Sequence, residues 1–284
     1  MRKFLSLFVL LVIPVFSFAQ DPEFMRLKKD KADKVLGMEI AITKYTNKDV
    51  TVELVGVVHI ADTSYYNKLS NRFKKADVVL YELVAEPGAK PEKKKKSGMY
   101  NIVAMVLDLD DQMSAIDYHK SNFVHADLSF GEMMAIAKKR GDTPLTLGLS
   151  VLVDTLKANN LSADKPAPKA PDINLEDAIS NPNLLKRQFA TQMMNSQTGP
   201  TLERLLITDR NKAAMKVMEG QISQGKKKII IFYGAAHCPD FHKRLTADHG
   251  MMMGAQEWLL AWDTSSDEKI DPALRMLKIL MQNK

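Results

Sequence analysis

One cysteine, Cys238, stands in 284 residues, so no disulfide can form within the chain. No Gly-x-Ser-x-Gly occurs, which removes the nucleophile elbow of a serine hydrolase, and Cys238 lacks the setting of a catalytic cysteine. No basic patch is interleaved with aromatic residues, so nucleic acid is not an expected partner. The lysine run Lys93 to Lys96 lies in a Pro/Gly-bounded stretch, Glu86 to Gly98, and reads as a solvated loop. The apolar run Phe4 to Phe16 is too short for a stable membrane-spanning helix.

That run has the form of an export signal. Arg2 and Lys3 precede it, and Ser17-Phe18-Ala19 follows as a small-x-small cleavage pattern. The sequence therefore predicts a signal peptide over 1–19 and a periplasmic or secreted mature chain over 20–284, with no stable membrane anchor. No cysteine follows the apolar run, which argues against a lipid anchor. Losing Arg2 and Lys3 takes the formal charge from +6 to +4. A hydrophobic content of 45% is ample for a sizeable core. The 17 methionines read as adaptable core packing, because no partners stand at soft-metal spacing.

The most informative feature is a repeat. Ile229 to Tyr233 is an unbroken β-branched and aromatic run ending in Gly234-x-x-His237, with Asp240 three residues on. Glu53 to Val58 repeats the arrangement, with Gly56-x-x-His59 and Asp62. Gly234 is expected to provide a sharp turn at the strand end. Both histidines are then expected at the carboxyl edge of a sheet, where open α/β folds hold their ligands.

Met38 to Tyr45 and Val50 to Val58 read as strands joined by a turn at Thr46 to Asp49. Asp62 is placed to cap a helix with Tyr65, Tyr66, Leu69 and Phe73 on its apolar face. The strand Val78 to Tyr81 follows, and this strand–helix–strand unit predicts a parallel pairing. Glu82 then ends its strand at the same sheet edge as His59, either as a solvated terminus or as a site residue. The stretch from about 98 to 222 reads as mainly helical. Within it, Phe123 to Asp127 carries His125 and Asp127, either a site pair or an edge-strand residue and a helix-start acid. Ser129 to Glu132 is a capping box, and Thr143 to Ala158 an amphipathic helix. Lys165 to Pro171 reads as a surface excursion, and Asn174 to Met194 as helix with a break at Asn181-Pro182. Leu202 to Ile222 reads as one long helix with Leu202, Leu206, Ala213 and Val217 on its apolar stripe, and Arg210 among them. Arg210 is either a salt-bridge partner or an inward cation for an anion, and the second option predicts a loss of activity with little loss of stability. Gln256 to Trp262 suits a final strand and Pro272 to Met281 a terminal helix.

On these residues the chain resembles the TraB/PrgY/GumN family, to which the TIKI metalloproteases are related. The resemblance spans about Met38 to Trp262. It is carried by Gly56-x-x-His59, Tyr81-Glu82-Leu83, His125-Ala126-Asp127, Asp209-Arg210-Asn211 and Tyr233-Gly234-Ala235-Ala236-His237. It implies an α/β fold of two related strand–helix–strand halves, with a mixed, largely parallel sheet and a helical insertion. It also implies functional roles for His59, Glu82, Arg210 and His237, and a divalent ion, manganese or cobalt sooner than zinc, bound by the histidines. His125 and Asp127 are secondary candidates as ligands.

Two imidazoles and a carboxylate suit a hydrolytic ion with open positions for water. Glu82 is then a third ligand or a general base, and Arg210 steadies an oxyanion or a substrate carboxylate. Cys238 reads as a packing residue beside a site it could make oxidation-sensitive. The expected activity is metal-dependent hydrolysis of a peptide or small-molecule substrate. The alternative is a non-enzymatic protein that captures haem, metal or a peptide in the same cleft.

Overall fold

A computed structural model describes residues 21–92, 99–158, 180–195, 199–275 and 277. The expected signal peptide, the lysine run, the Lys165 to Pro171 excursion and most of the expected terminal helix lie outside them. Among the described residues, no helix is long and apolar enough to cross a membrane.

The chain is α/β, built on a mixed, largely parallel seven-stranded sheet. β1 (Met25–Lys29), β2 (Val35–Asn47), β3 (Val50–Val57), β8 (Lys228–Gly234), β5 (Val78–Tyr81) and β7 (Phe123–His125) lie side by side in that order, and β9 (Met252–Asp263) pairs with β2. The pairings around β2 are antiparallel, whereas β3, β8, β5 and β7 run parallel. A further two-stranded ladder joins β4 (Ile60–Ala61) to β6 (Asp110–Asp111). The β2–β3 hairpin forms where the turn residues predict it, with Lys48 at φ 51°.

The expected pairing of the Glu53 and Val78 strands needs correction. β3 and β5 are parallel but not neighbours, because β8 enters between them and pairs with both. A strand that is apolar on both faces suits this central position. Alternate β8 side chains divide between two layers. Ile230 and Phe232 join the cluster of α1 (Thr63–Phe73), which contributes Tyr65, Tyr66, Leu69 and Phe73. Ile229, Ile231 and Tyr233 join the cluster on the other face, with Ala214, Met215, Met218 and Phe241. Asp62 holds the N-cap position of α1, but its side chain makes no cap bond. It accepts instead from the Asp263 N–H and from Lys186, tying the helix start to β9 and to α6 (Pro182–Asn195).

The middle of the chain is less uniformly helical than expected. α2 (Met99–Leu107), α3 (Gln112–Ala115), α4 (Phe130–Lys139) and α5 (Pro144–Ala158) are present, and the Ser129–Glu132 capping box closes in both directions. β7 interrupts them and supplies the outermost parallel strand. The expected long helix is also broken in register. α7 (Pro200–Glu203) and α8 (Asp209–Ser223) are joined by a π turn over Arg204–Thr208. A π turn takes more residues per revolution than an α turn, so the buried face beyond it is rotated from the stripe expected. It reads Arg210, Asn211, Ala214, Met215 and Met218, while Leu206 is exposed.

Candidate functional site

Four adjacent parallel strands each deliver a candidate residue just beyond their carboxyl ends. In spatial order these are His59 after β3, His237 after β8, Glu82 after β5 and Asp127 after β7. Arg210, one residue into α8, lies over the last three. The carboxyl edge of the sheet is therefore where these side chains gather, as the paired Gly-x-x-His motifs predict.

Glu82, Asp127, Arg210 and His237 form one buried cluster. Asp127 accepts Nε of Arg210 at 2.9 Å and Nη2 at 2.7 Å, and Nη2 also donates to Glu82 Oε1 at 2.7 Å. Nη1 donates to the Leu206 carbonyl at 3.0 Å and faces His237 Nε2 at 3.5 Å. Four of the five N–H donors of the guanidinium thus have an acceptor inside the protein, and the fifth faces the His237 ring. The Asp127 side chain is fully buried, and its oxygens also accept the Leu83 and Leu128 N–H groups. This places Asp127 as the anchor of Arg210. His125 is turned to backbone: its Nε2 lies 2.6 Å from the Leu83 carbonyl, and its Nδ1 accepts the Gly88 N–H at 3.3 Å.

Glu82 Oε2 accepts the Gly234 N–H at 2.7 Å, and Oε1 lies 3.5 Å from His237 Nε2. Burial alone would raise the Glu82 pKa. The hydrogen bond and charge of His237, with Arg210 and the Gly234 N–H, outweigh it and hold the carboxyl well below the usual range. A carboxylate whose folded pKa is depressed stabilises the fold above its unfolded value, about 4.3, and that contribution fades as pH falls below it. Denaturant unfolding between pH 6 and pH 3 should therefore show a steeper loss of stability for wild type than for Glu82→Gln. Parallel curves would show that Glu82 does not carry the effect.

Gly234 does not provide the sharp turn expected of it. Its φ of −49° and ψ of 139° are open to other residues. Its role is close approach, since a Cβ there would sit 3.3 Å from Glu82 Oε2 and 3.6 Å from a carbon of the His237 ring. Gly234→Ala should push on the carboxylate and destabilise by about 1–3 kcal/mol, read by chemical denaturation. Gly56 is small for a similar reason, with Ile40, Cys238 and Ala235 crowding its vacant side. Cys238 is fully buried against it, and burial pushes the thiol pKa far above its ordinary value. Burial disfavours the thiolate on which oxidation of that thiol would depend.

The sequence reading gave no role to two carboxamides. His237 Nδ1 lies 2.6 Å from Asn211 Oδ1, and His59 Nδ1 lies 3.0 Å from Gln112 Oε1. Asn211 stands in Asp209-Arg210-Asn211, next to Arg210. Gln112 follows two aspartates at the start of a four-residue helix, where nothing in the local pattern marks it. His59 itself is exposed, while His237 is buried.

Among the described residues, no group of three or more His, Cys, Asp or Glu side chains converges on one point as a metal shell. Two donors do converge. The 3.5 Å between His237 Nε2 and Glu82 Oε1 matches adjacent corners of a tetrahedron with metal–ligand bonds of about 2.0–2.2 Å. Two carboxylates against one guanidinium also leave one negative charge uncompensated when His237 is neutral. In donor type and charge, this pair fits a divalent cation.

No protein-family model, curated protein or solved structure matches this chain.

Proposed function

We propose that the chain is an exported, metal-dependent hydrolase of TraB/PrgY/GumN type, acting on a peptide or a small acyl substrate. One observation carries the reading: His237 Nε2, a carboxylate of Glu82 and a donor of Arg210 face one another at the carboxyl edge of a parallel sheet. His237 and Glu82 would hold the ion, with His59 from the neighbouring strand as third donor and manganese or cobalt as the preferred metals. A divalent ion there supplies an activated water at neutral pH and polarises a substrate carbonyl.

The protein's own groups divide the remaining work. Glu82 accepts N–H groups on both oxygens, an arrangement that favours its anionic form and makes it a better ligand than proton acceptor. Arg210 keeps that carboxylate in place from the side opposite Gly234. Its Nη1–H toward His237 makes its longest bond, at 3.5 Å, and is the donor a substrate oxygen can take over as charge develops. Asp127 holds the guanidinium in the plane this requires.

The test is hydrolysis of peptide and ester panels by mature protein, with and without added manganese or cobalt, beside His237→Ala. Turnover that needs the metal and is lost in His237→Ala supports the proposal. Binding of metal or haem without turnover of any panel member would move the chain to the class of capture proteins.

A further inference from the structure

The two Gly-x-x-His motifs share more than their spacing. Each histidine has its Nδ1 against a side-chain carboxamide oxygen, and each of those residues also grips the same histidine's main-chain carbonyl. Gln112 donates its backbone N–H to the His59 carbonyl at 2.9 Å, and Asn211 donates Nδ2 to the His237 carbonyl at 3.0 Å. Both carboxamide residues are buried, Gln112 at 3% exposure and Asn211 at 0%. They come from different elements, α3 and α8, 53 and 26 residues away from their histidines.

The Asn211 amide has one possible orientation. Its Nδ2 meets the His237 carbonyl and, at 2.8 Å, Asp240 Oδ2, and neither of those groups has a proton to give. Its oxygen therefore faces the ring, and the ring nitrogen beside it must be the one that carries hydrogen. A neutral His237 then has its lone pair on Nε2, the atom facing Glu82 and Arg210. Gln112 makes similar contacts, with Nε2 2.8 Å from the Tyr118 hydroxyl and Oε1 3.0 Å from His59 Nδ1, but a hydroxyl both donates and accepts, so that amide is not fixed as Asn211 is.

We infer that Asn211 is a positioning residue, which holds neutral His237 as the Nδ1–H tautomer and keeps the Nε2 lone pair, facing Glu82 and Arg210, for a ligand. The assignment of that ligand as a divalent cation rests on the proposed function, whereas the tautomer does not. Asp240 helps to fix the Asn211 amide, whereas Asp62, its counterpart in the first motif, accepts from the Asp263 N–H and Lys186.

Long-range proton–nitrogen NMR of the imidazoles, on metal-free protein above pH 8, reads the tautomer directly. Wild type should show hydrogen on Nδ1 of His237. In Asn211→Leu the ring should shift toward the Nε2–H form that free imidazole side chains prefer, and zinc or cobalt affinity by calorimetry should fall about 10- to 100-fold. Asn211→Asp retains an acceptor oxygen and should keep the His237 tautomer. An Nε2–H ring in wild type, or a leucine variant with unchanged tautomer and affinity, would overturn the inference. Should Asn211→Leu fail to fold, the wild-type spectrum still decides. An Nδ1–H ring in a wild-type protein that binds no divalent metal would leave the positioning role standing and remove the metal reading alone.

Discussion

Replacing Arg210 by alanine should lower folding stability by about 3–5 kcal/mol, the usual range when one partner of a buried ion pair is removed. Of the two roles that the sequence leaves open for Arg210, this one follows from the salt-bridge partner, whereas the inward functional cation predicts little loss of stability. Arg210 is 6% exposed, and its guanidinium bridges the fully buried Asp127 side chain to Glu82. Without it, Asp127 and Glu82 lose the guanidinium they share, and Asp127 keeps only two backbone N–H groups. Activity should fall too, because the Nη1–H donor and the hold on Glu82 go with it. Denaturant titration separates the possibilities. A free-energy change under 1 kcal/mol would show that solvent or a neighbouring group compensates the pair. Arg210→Ala combined with Asp127→Asn should cost less than the sum of the two single changes, because the charge stranded by the first is removed by the second.

His237 should show the opposite signature. Its removal leaves a buried Asn211 oxygen without its donor, which costs about 1–3 kcal/mol. The same change deletes the nitrogen that faces Glu82 and Arg210, so hydrolysis should drop by about 100- to 10,000-fold, the range of a positioned acid–base group and a lower bound for a lost ligand. Two residues 3.5 Å apart would then separate cleanly, Arg210 weighted toward stability and His237 toward turnover. Paired measurement of unfolding free energy and kcat/KM on both variants tests this. A His237→Ala protein that keeps wild-type kcat/KM would place the chemistry elsewhere.

The strands, both Gly-x-x-His motifs and Glu82 were legible because each rests on local pattern. An apolar run of strand length, followed by glycine and then a titratable residue, is a short-range signal that survives without tertiary information. What escaped was non-local or register-dependent. The π turn at Arg204–Thr208 shifts the buried face by a fraction of a revolution, which a period of 3.6 cannot anticipate, so the predicted stripe named Ala213 and Val217 in place of Ala214 and Met218. β7 has three residues, too few for a period to show, yet it places Asp127 beside Arg210. The position of β8 between β3 and β5 follows from a pairing across some 150 residues, and a local reading joined the nearer strands instead. Asn211 acts through a single amide orientation, and an amide in a helix carries no marker of the ring it will meet.

The most direct test of the account is calorimetric titration of manganese, cobalt and zinc into metal-free wild type, His59→Ala, His237→Ala and the double variant at pH 7.5. If the two motifs share one ion, each single variant should lose most of the affinity, and the double variant should be little worse than either. Wild-type affinity should also weaken as pH is lowered through about 6.5, where ligating imidazoles take up protons. Wild-type affinity retained in both single variants would contradict the shared site, and the repeated motif would then serve only to shape the ends of two strands.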